Sequence, residues 1–197
     1  SIPANKYNAN VKGKDAKWVF LPDLGRAEGC MGISPVTARS ATFATAPRLE
    51  YKIYIPTKGP ITAFLGILPV QDINPARGLR IAVSIDGEQP QIIDARQGFV
   101  DEFKEYTEAS LSLSKVLKPL PTPNQHLALV GYKQPRRNEI FDNIRWLNVG
   151  FNIPQAGMHT LKIYMIDPEV VLEKIVINPD DNYPSYFGAP SVQQNSK

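Results

Sequence analysis

Apolar and polar residues alternate with period two along most of this chain. Residues 49–55, LEYKIYI, are the plainest case, with Leu49, Tyr51, Ile53 and Ile55 on one parity and Glu50, Lys52 and Tyr54 on the other. That pattern, rich in Tyr and Ile, predicts a half-buried strand. Residues 61–70, ITAFLGILPV, predict a second strand with Gly66 as a bulge site. Residues 78–87, GLRIAVSIDG, predict a third that closes on Asp86-Gly87, a hairpin signal, with PQIIDA as its partner beyond the longer loop DGEQP. Further on, RWLNVGFNI and MHTLKIYMI flank PQAG, a turn marked by its Pro and Gly. VVLEKIVIN is the last strand, expected to lie beside MHTLKIYMI in one sheet around an Asp167-Pro168 turn. Near the start, AKWVFL and residues 36–43 also read as strands. Many short strands separated by turn signals, with no alternating β and α units, predict an all-β antiparallel β-sandwich of jelly-roll type.

One stretch breaks the pattern. Phe99, Phe103 and Tyr106 recur at helical spacing, and PLPTP at 119–123 then blocks regular structure. Residues 99–137 are therefore expected as an insertion in a single sandwich domain spanning 1–190, followed by a polar tail at 191–197.

Composition narrows the partners. With 43% hydrophobic and 21% charged residues the chain can build a core, and its 18 Pro and 13 Gly are spread along it as turns would require. A net charge of +3, with no basic block longer than the Arg136-Arg137 pair, argues against nucleic acid. No apolar run approaches the roughly 20 residues that span a bilayer, so no membrane partner is expected. Cys30 is the single cysteine, which excludes an internal disulfide and a cysteine-based zinc site. Followed by Met31 and Gly32, it reads as a small buried hydrophobe. The chain opens on Ser1 with no Met, which leaves room for a leader, a tag or an upstream region cut away.

Catalytic chemistry has no visible carrier. Glycoside hydrolysis needs two carboxylates facing each other about 5 to 10 Å apart. Here Asp86 belongs to a turn, Asp180 and Asp181 to a polar loop, and Glu102, Glu105 and Glu108 to the polar side of the expected helix. A Ser–His–acid triad would need His126 or His159; the latter opens a strand, where a His packs and hydrogen-bonds more often than it catalyses. There is no glycine-rich phosphate loop and no G-x-S-x-G elbow. Neither catalytic residues, nor a metal site, nor a cofactor is expected.

Six stretches in order carry a resemblance: WVFLPDLGRAEGCMGISPVTA at 18–38, APRLEYKIYIPTKG at 46–59, NPARGLRIAVSIDGEQPQ at 74–91, DNIRWL at 142–147, GMHTLKIYMIDPEVVLEKIVIN at 157–178 and PSYFGAP at 184–190. Together they resemble the C-terminal domain of glycoside hydrolase family 115, the xylan α-glucuronidases, over most of the chain outside 99–137. The resemblance implies a non-catalytic sandwich similar to carbohydrate-binding modules, with the family's catalytic domains lying upstream, in a periplasmic or extracellular setting. Modules of that kind often begin on an IEAE-like strand whose carboxylates help hold calcium. Here SIPANKY puts Pro3 and Asn5 at those places, leaving Glu173 as the one carboxylate at hand, too few for a hard cation.

A sugar site needs exposed aromatics and polar groups beside them. Tyr51, Trp146 and Trp18 lie in alternating strands and read as core. Tyr183, Tyr186 and Phe187 lie in a loop beyond the last strand and are the candidates for ligand contact, or for a lid across the open end of the sandwich. Arg26 could grip a uronate carboxylate with its two-pronged guanidinium, or could pair with Asp23 or Glu28 to hold its own turn. Arg77 and Arg80 carry the same two readings. The leading expectation is an accessory module binding xylan or a glucuronic-acid-containing oligosaccharide. Its competitor is a structural module that packs on a catalytic domain or forms a homodimer, with no ligand of its own. An enzyme acting through an unrecognised carboxylate pair is the third and weakest.

Overall fold

In this computed structural model the chain divides into two compact units, residues 1–96 with 143–197, and residues 97–142. The structure describes residues 1–26, 28–70, 77–96 and 139–177. The expected helix around Phe99, the 119–123 break, the polar tail, and Tyr183, Tyr186 and Phe187 lie outside the described residues.

Eleven strands run through the described residues of the first unit: β1 Ile2–Pro3, β2 Ala9–Val11, β3 Lys17–Leu21, β4 Cys30–Ser34, β5 Arg48–Ile55, β6 Gly59–Ile67, β7 Arg80–Ile85, β8 Gln91–Asp94, β9 Arg145–Ile153, β10 Gly157–Met165 and β11 Leu172–Ile177. They form two antiparallel sheets. One, sheet A, has the order β3-β4-β11-β6-β9 with β1 also on β11; the other, sheet B, has the order β2-β5-β10-β7-β8.

The alternation explains the layers. Leu147, Val149, Phe151 and Ile153 of β9 point inward and meet Leu49, Tyr51 and Ile53 of β5 and Leu161 and Ile163 of β10 in one buried cluster. Trp18 is buried with them and donates its indole N–H to the Pro47 carbonyl at 3.2 Å. The Tyr51 hydroxyl donates to the Ala4 carbonyl at 2.7 Å, and burial pushes its pKa up. Both polar tips are thereby satisfied inside an apolar core.

Three local expectations are corrected. Residues 36–43 form a loop instead of a strand: Pro35 has no N–H to continue the ladder, and the Ala38 N–H turns back to the Pro35 carbonyl. The Asp167-Pro168 segment does not join neighbours in one sheet. It carries the chain from β10 in sheet B to β11 in sheet A, and PQAG likewise crosses from β9 to β10. Turn residues look alike whether a chain folds back within a sheet or steps across to the other. Third, the irregularity sits on β11, not at Gly66. Leu172 pairs with Ile67 and Lys174 with Gly66, so Glu173 is the extra residue. Leu172 and Ile175 consequently both enter the core although three positions apart.

Both seams between the sheets are closed by amide side chains. Asn10 Nδ2 donates to the Trp18 carbonyl across the β2–β3 edges at 3.2 Å, and Gln91 Nε2 donates to the Gly150 carbonyl across the β8–β9 edges at 2.9 Å.

Candidate functional site

The outer face of sheet A carries an aromatic plate built by four residues from four parts of the chain. Trp146 is an outward residue of β9, opposite Gly66 of β6. A Cβ on Gly66 would stand 2.6 Å from Ile144 Cδ1 and 3.0 Å from Trp146 Cζ3, so only glycine lets the indole settle against the sheet. The ring keeps 38% of its surface exposed. Trp146 is not in the core, contrary to the expectation from its place in an alternating strand: it faces out because the inward parity of β9 belongs to Leu147, Val149, Phe151 and Ile153.

Arg26 lies over this ring, its guanidinium carbon 6.0 Å from the ring centroid, within cation–π range. Its Nε donates to Glu173 Oε1 at 3.4 Å, and the two side chains are only 4% and 2% exposed. The extra residue in β11 is what brings the Glu173 carboxylate to this position. Gly25, at a φ of +86°, carries the 22–29 loop back over the sheet, where a Cβ would come within 2.7 Å of Cys30 Sγ. Cys30 donates to the Leu24 carbonyl at 3.2 Å; burial, then the Glu173 charge, push its thiol up to about 12, so it is an inert packing group. Burial also lowers the Lys174 ammonium pKa beside this pair.

Arg26 is thus engaged with Glu173, and its guanidinium packs on the indole. Glu173 is occupied by that pairing, and among the described residues no three His, Cys, Asp or Glu side chains converge as metal ligands. Arg77 and Arg80 both sit at one end of the sandwich in carboxylate pairs. Arg80 grips the fully buried Asp167 through Nε at 2.8 Å and Nη2 at 3.1 Å, while Ser40 donates to the same carboxylate at 2.6 Å. Arg77 pairs with Glu169 and donates to the Ala38 carbonyl at 2.9 Å. These groups hold the β10–β11 crossover to the loop after β4.

His159 is also structural. Its Nδ1 lies 2.8 Å from Asp86 Oδ2 and its Nε2 3.0 Å from the Gln155 carbonyl, two acceptors that an imidazolium satisfies together. The Asp86 hydrogen bond outweighs burial and raises the His159 pKa. Burial alone would raise the Asp86 carboxyl, but His159 and the Thr160 N–H overcome it and hold the carboxyl below its ordinary value. This clasp ties the β7–β8 turn to the β9–β10 crossover.

The outer face of sheet B is different in kind. The loop after β4 covers part of it, with Phe43 edge-on to Tyr164 at 6.1 Å. The open part pairs Tyr54 with Met158, then Lys52 with Thr160 and Glu50 with Lys162. Tyr54 and Met158 are 67% and 62% exposed.

The domain is therefore a two-sheet sandwich whose buried charges hold loops and an aromatic. Residues 1–107 and 131–191 match the glycosyl hydrolase family 115 C-terminal domain, and the chain belongs to that family. This is the non-catalytic part of those enzymes. No curated protein matches the chain. Among solved structures, a family GH115 4-O-methyl-alpha-glucuronidase with specificity for decorated arabinogalactans is similar at 15% identity and a TM-score of 0.49, over 87% of this chain and 17% of that one. The C-terminal CBM6 of the laminarinase LamC from Zobellia galactanivorans is similar at 15% identity and a TM-score of 0.45, covering 90% of this chain and 97% of that one. A family 35 carbohydrate binding module from Clostridium thermocellum is similar at 12% identity and a TM-score of 0.49, covering 90% and 96%. This chain thus spans 17% of the length of the glucuronidase it resembles.

Proposed function

We propose that this domain is an accessory carbohydrate-binding module in polysaccharide breakdown, holding a glucuronic-acid-bearing plant polysaccharide, xylan foremost, for a catalytic domain outside the cytoplasm. The observation that supports this most directly is Trp146. An indole packed against Gly66, steadied by the Arg26 guanidinium and still 38% exposed, offers a fixed apolar surface for a sugar ring. Arg26 acts by fixing that plane rather than by reaching a ligand carboxylate. Tyr183, Tyr186 and Phe187 are the proposed contacts from beyond β11.

Calorimetric titration of the intact chain with aldouronic xylo-oligosaccharides tests this. Saturable heat in the wild type that disappears in Trp146→Ala, with a cooperative thermal transition retained well above the assay temperature, is the expected result. Flat wild-type traces at millimolar sugar would overturn the binding function.

The alternative is a purely structural module, and the exposed Tyr54–Met158 pair on sheet B favours it as a face for a catalytic domain or a second copy. Light scattering on the wild type and on a Tyr54→Ser/Met158→Ser variant separates the two: a dimer that dissociates in the variant supports the structural module.

A further inference from the structure

Among the described residues nothing in the structure requires Gly150 to be glycine. It sits in the middle of β9, is not among the described glycines with positive φ, and among the described residues a Cβ added there would meet nothing closer than the Ile61 carbonyl at 3.9 Å. Gly66 on β6 is required by Trp146, which stands opposite it, whereas Gly150, opposite Thr62, is required by nothing among the described residues. Glycine inside a strand weakens it, and where no bulge or bend explains the residue it marks a close approach by a ligand or another backbone.

Its surroundings say which. Along β9 the outward residues on either side are Asn148 and Asn152, both exposed, and among the described residues neither amide makes a hydrogen bond. Opposite them on β6 stand Phe64, Thr62 and Pro60. From Trp146 to Asn152 the outward positions of these two strands therefore carry no charge. Outward residues two apart on a strand are separated by about 6.6 Å, so the strip extends roughly 20 Å from the indole. Its floor at Gly150 is bare backbone, pinned from the side by the Gln91 amide. Each carboxamide offers both donor and acceptor, the complement of a hydroxyl group, which is also both.

We infer that this strip is a subsite for an uncharged, hydroxyl-rich pyranose chain, one ring lying on the bare backbone at Gly150 between the two asparagines and continuing from a ring stacked on Trp146. The inference rests on the carbohydrate-binding function proposed above. It specifies that the neutral backbone of the polysaccharide, not its acidic branch, is what this face holds.

The decisive variant is Gly150→Val, which fills the floor while placing a better strand former there, so folding is preserved or improved. Wild type, Gly150→Val, Asn148→Ala/Asn152→Ala and Trp146→Ala are titrated with xylohexaose, with the same chain bearing a 4-O-methylglucuronic acid branch, and with a neutral β-galacto-oligosaccharide, each in low and high salt. The expected result is wild-type binding of a neutral oligosaccharide that changes less than about twofold with salt, because no charge is screened. Gly150→Val and the double asparagine variant should then bind at least tenfold more weakly, with thermal midpoints at or above wild type for Gly150→Val. If Gly150→Val and the asparagine variant bind like wild type while Trp146→Ala does not, the strip is wrong and the carbohydrate function stands. Binding confined to the acidic oligosaccharide and lost in salt also overturns the strip alone. No binding of any of the three by wild type overturns both.

Discussion

The two outer faces of this sandwich arise from the same alternation yet have opposite chemistry. On sheet B the outward positions of β5 and β10 carry Lys52, Glu50 and Lys162 beside Tyr54 and Met158, and solvent reaches them. On sheet A the charges are withdrawn instead: Arg26 and Glu173 are buried beside Trp146, and the strip running away from it is neutral. Exposed ion pairs contribute little to stability, whereas a buried pair becomes a liability when one partner is removed. The charged face of sheet B is thus built from residues that contribute little to stability, while the face of sheet A around Trp146 is held by buried charges.

That contrast can be broken most forcefully at Glu173. Glu173→Gln should destabilise the domain by about 3–5 kcal/mol, because it leaves Arg26 charged in a site built for a pair. Replacing both, as Arg26→Met/Glu173→Met, should cost less than the single change, and urea denaturation midpoints would show it. Next is Gly66→Val, where the new side chain drives into Ile144 and Trp146. An overpacking cost of about 1–3 kcal/mol is expected, with a shift in indole fluorescence reporting the displaced ring.

The His159 clasp gives a smaller, pH-dependent effect. Its raised His159 pKa means a contribution fully present below the ordinary histidine value, about 6.5, and lost as pH rises through the folded value. The lowered Asp86 pKa means a contribution present above the ordinary carboxylate value, about 3.9, and lost as pH falls through the folded one. Thermal midpoints of wild type and His159→Gln should therefore differ most between about pH 4 and 6.5 and converge on the alkaline side. The smallest effect belongs to the charged face. Lys52→Gln and Tyr54→Ser should each stay within about 0.5 kcal/mol of wild type in urea, which would sharpen the contrast with Glu173.

Much of the fold could be read from the chain because the long strands other than β11 keep their parity. β5 and β10 alternate without a break, and the hairpin of β7 and β8 announces itself in Asp86-Gly87, where Asp86 adopts a φ of +50°. Which sheet a strand joins was not legible, since the Asp167-Pro168 and PQAG segments have turn chemistry whichever way the chain goes. The site was half legible. In RWLNVGFNI the parity of Leu147, Val149, Phe151 and Ile153 puts Trp146, Asn148 and Asn152 together on the other side, a signal that outranks the general tendency of Trp to be buried. The pairing of Arg26 with Glu173 was not, because they lie 147 positions apart and the extra residue in β11 breaks the parity that would have aimed the carboxylate.

The two amide clasps at the seams bear on crowding. At high local density, open strand edges zip together into aggregates. Asn10 and Gln91 occupy main-chain acceptors on β3 and β9, edge strands where a neighbouring molecule would otherwise start to pair. Crowded copies of this domain are thus steered to meet through side chains and sheet faces, and can separate again as single folded units.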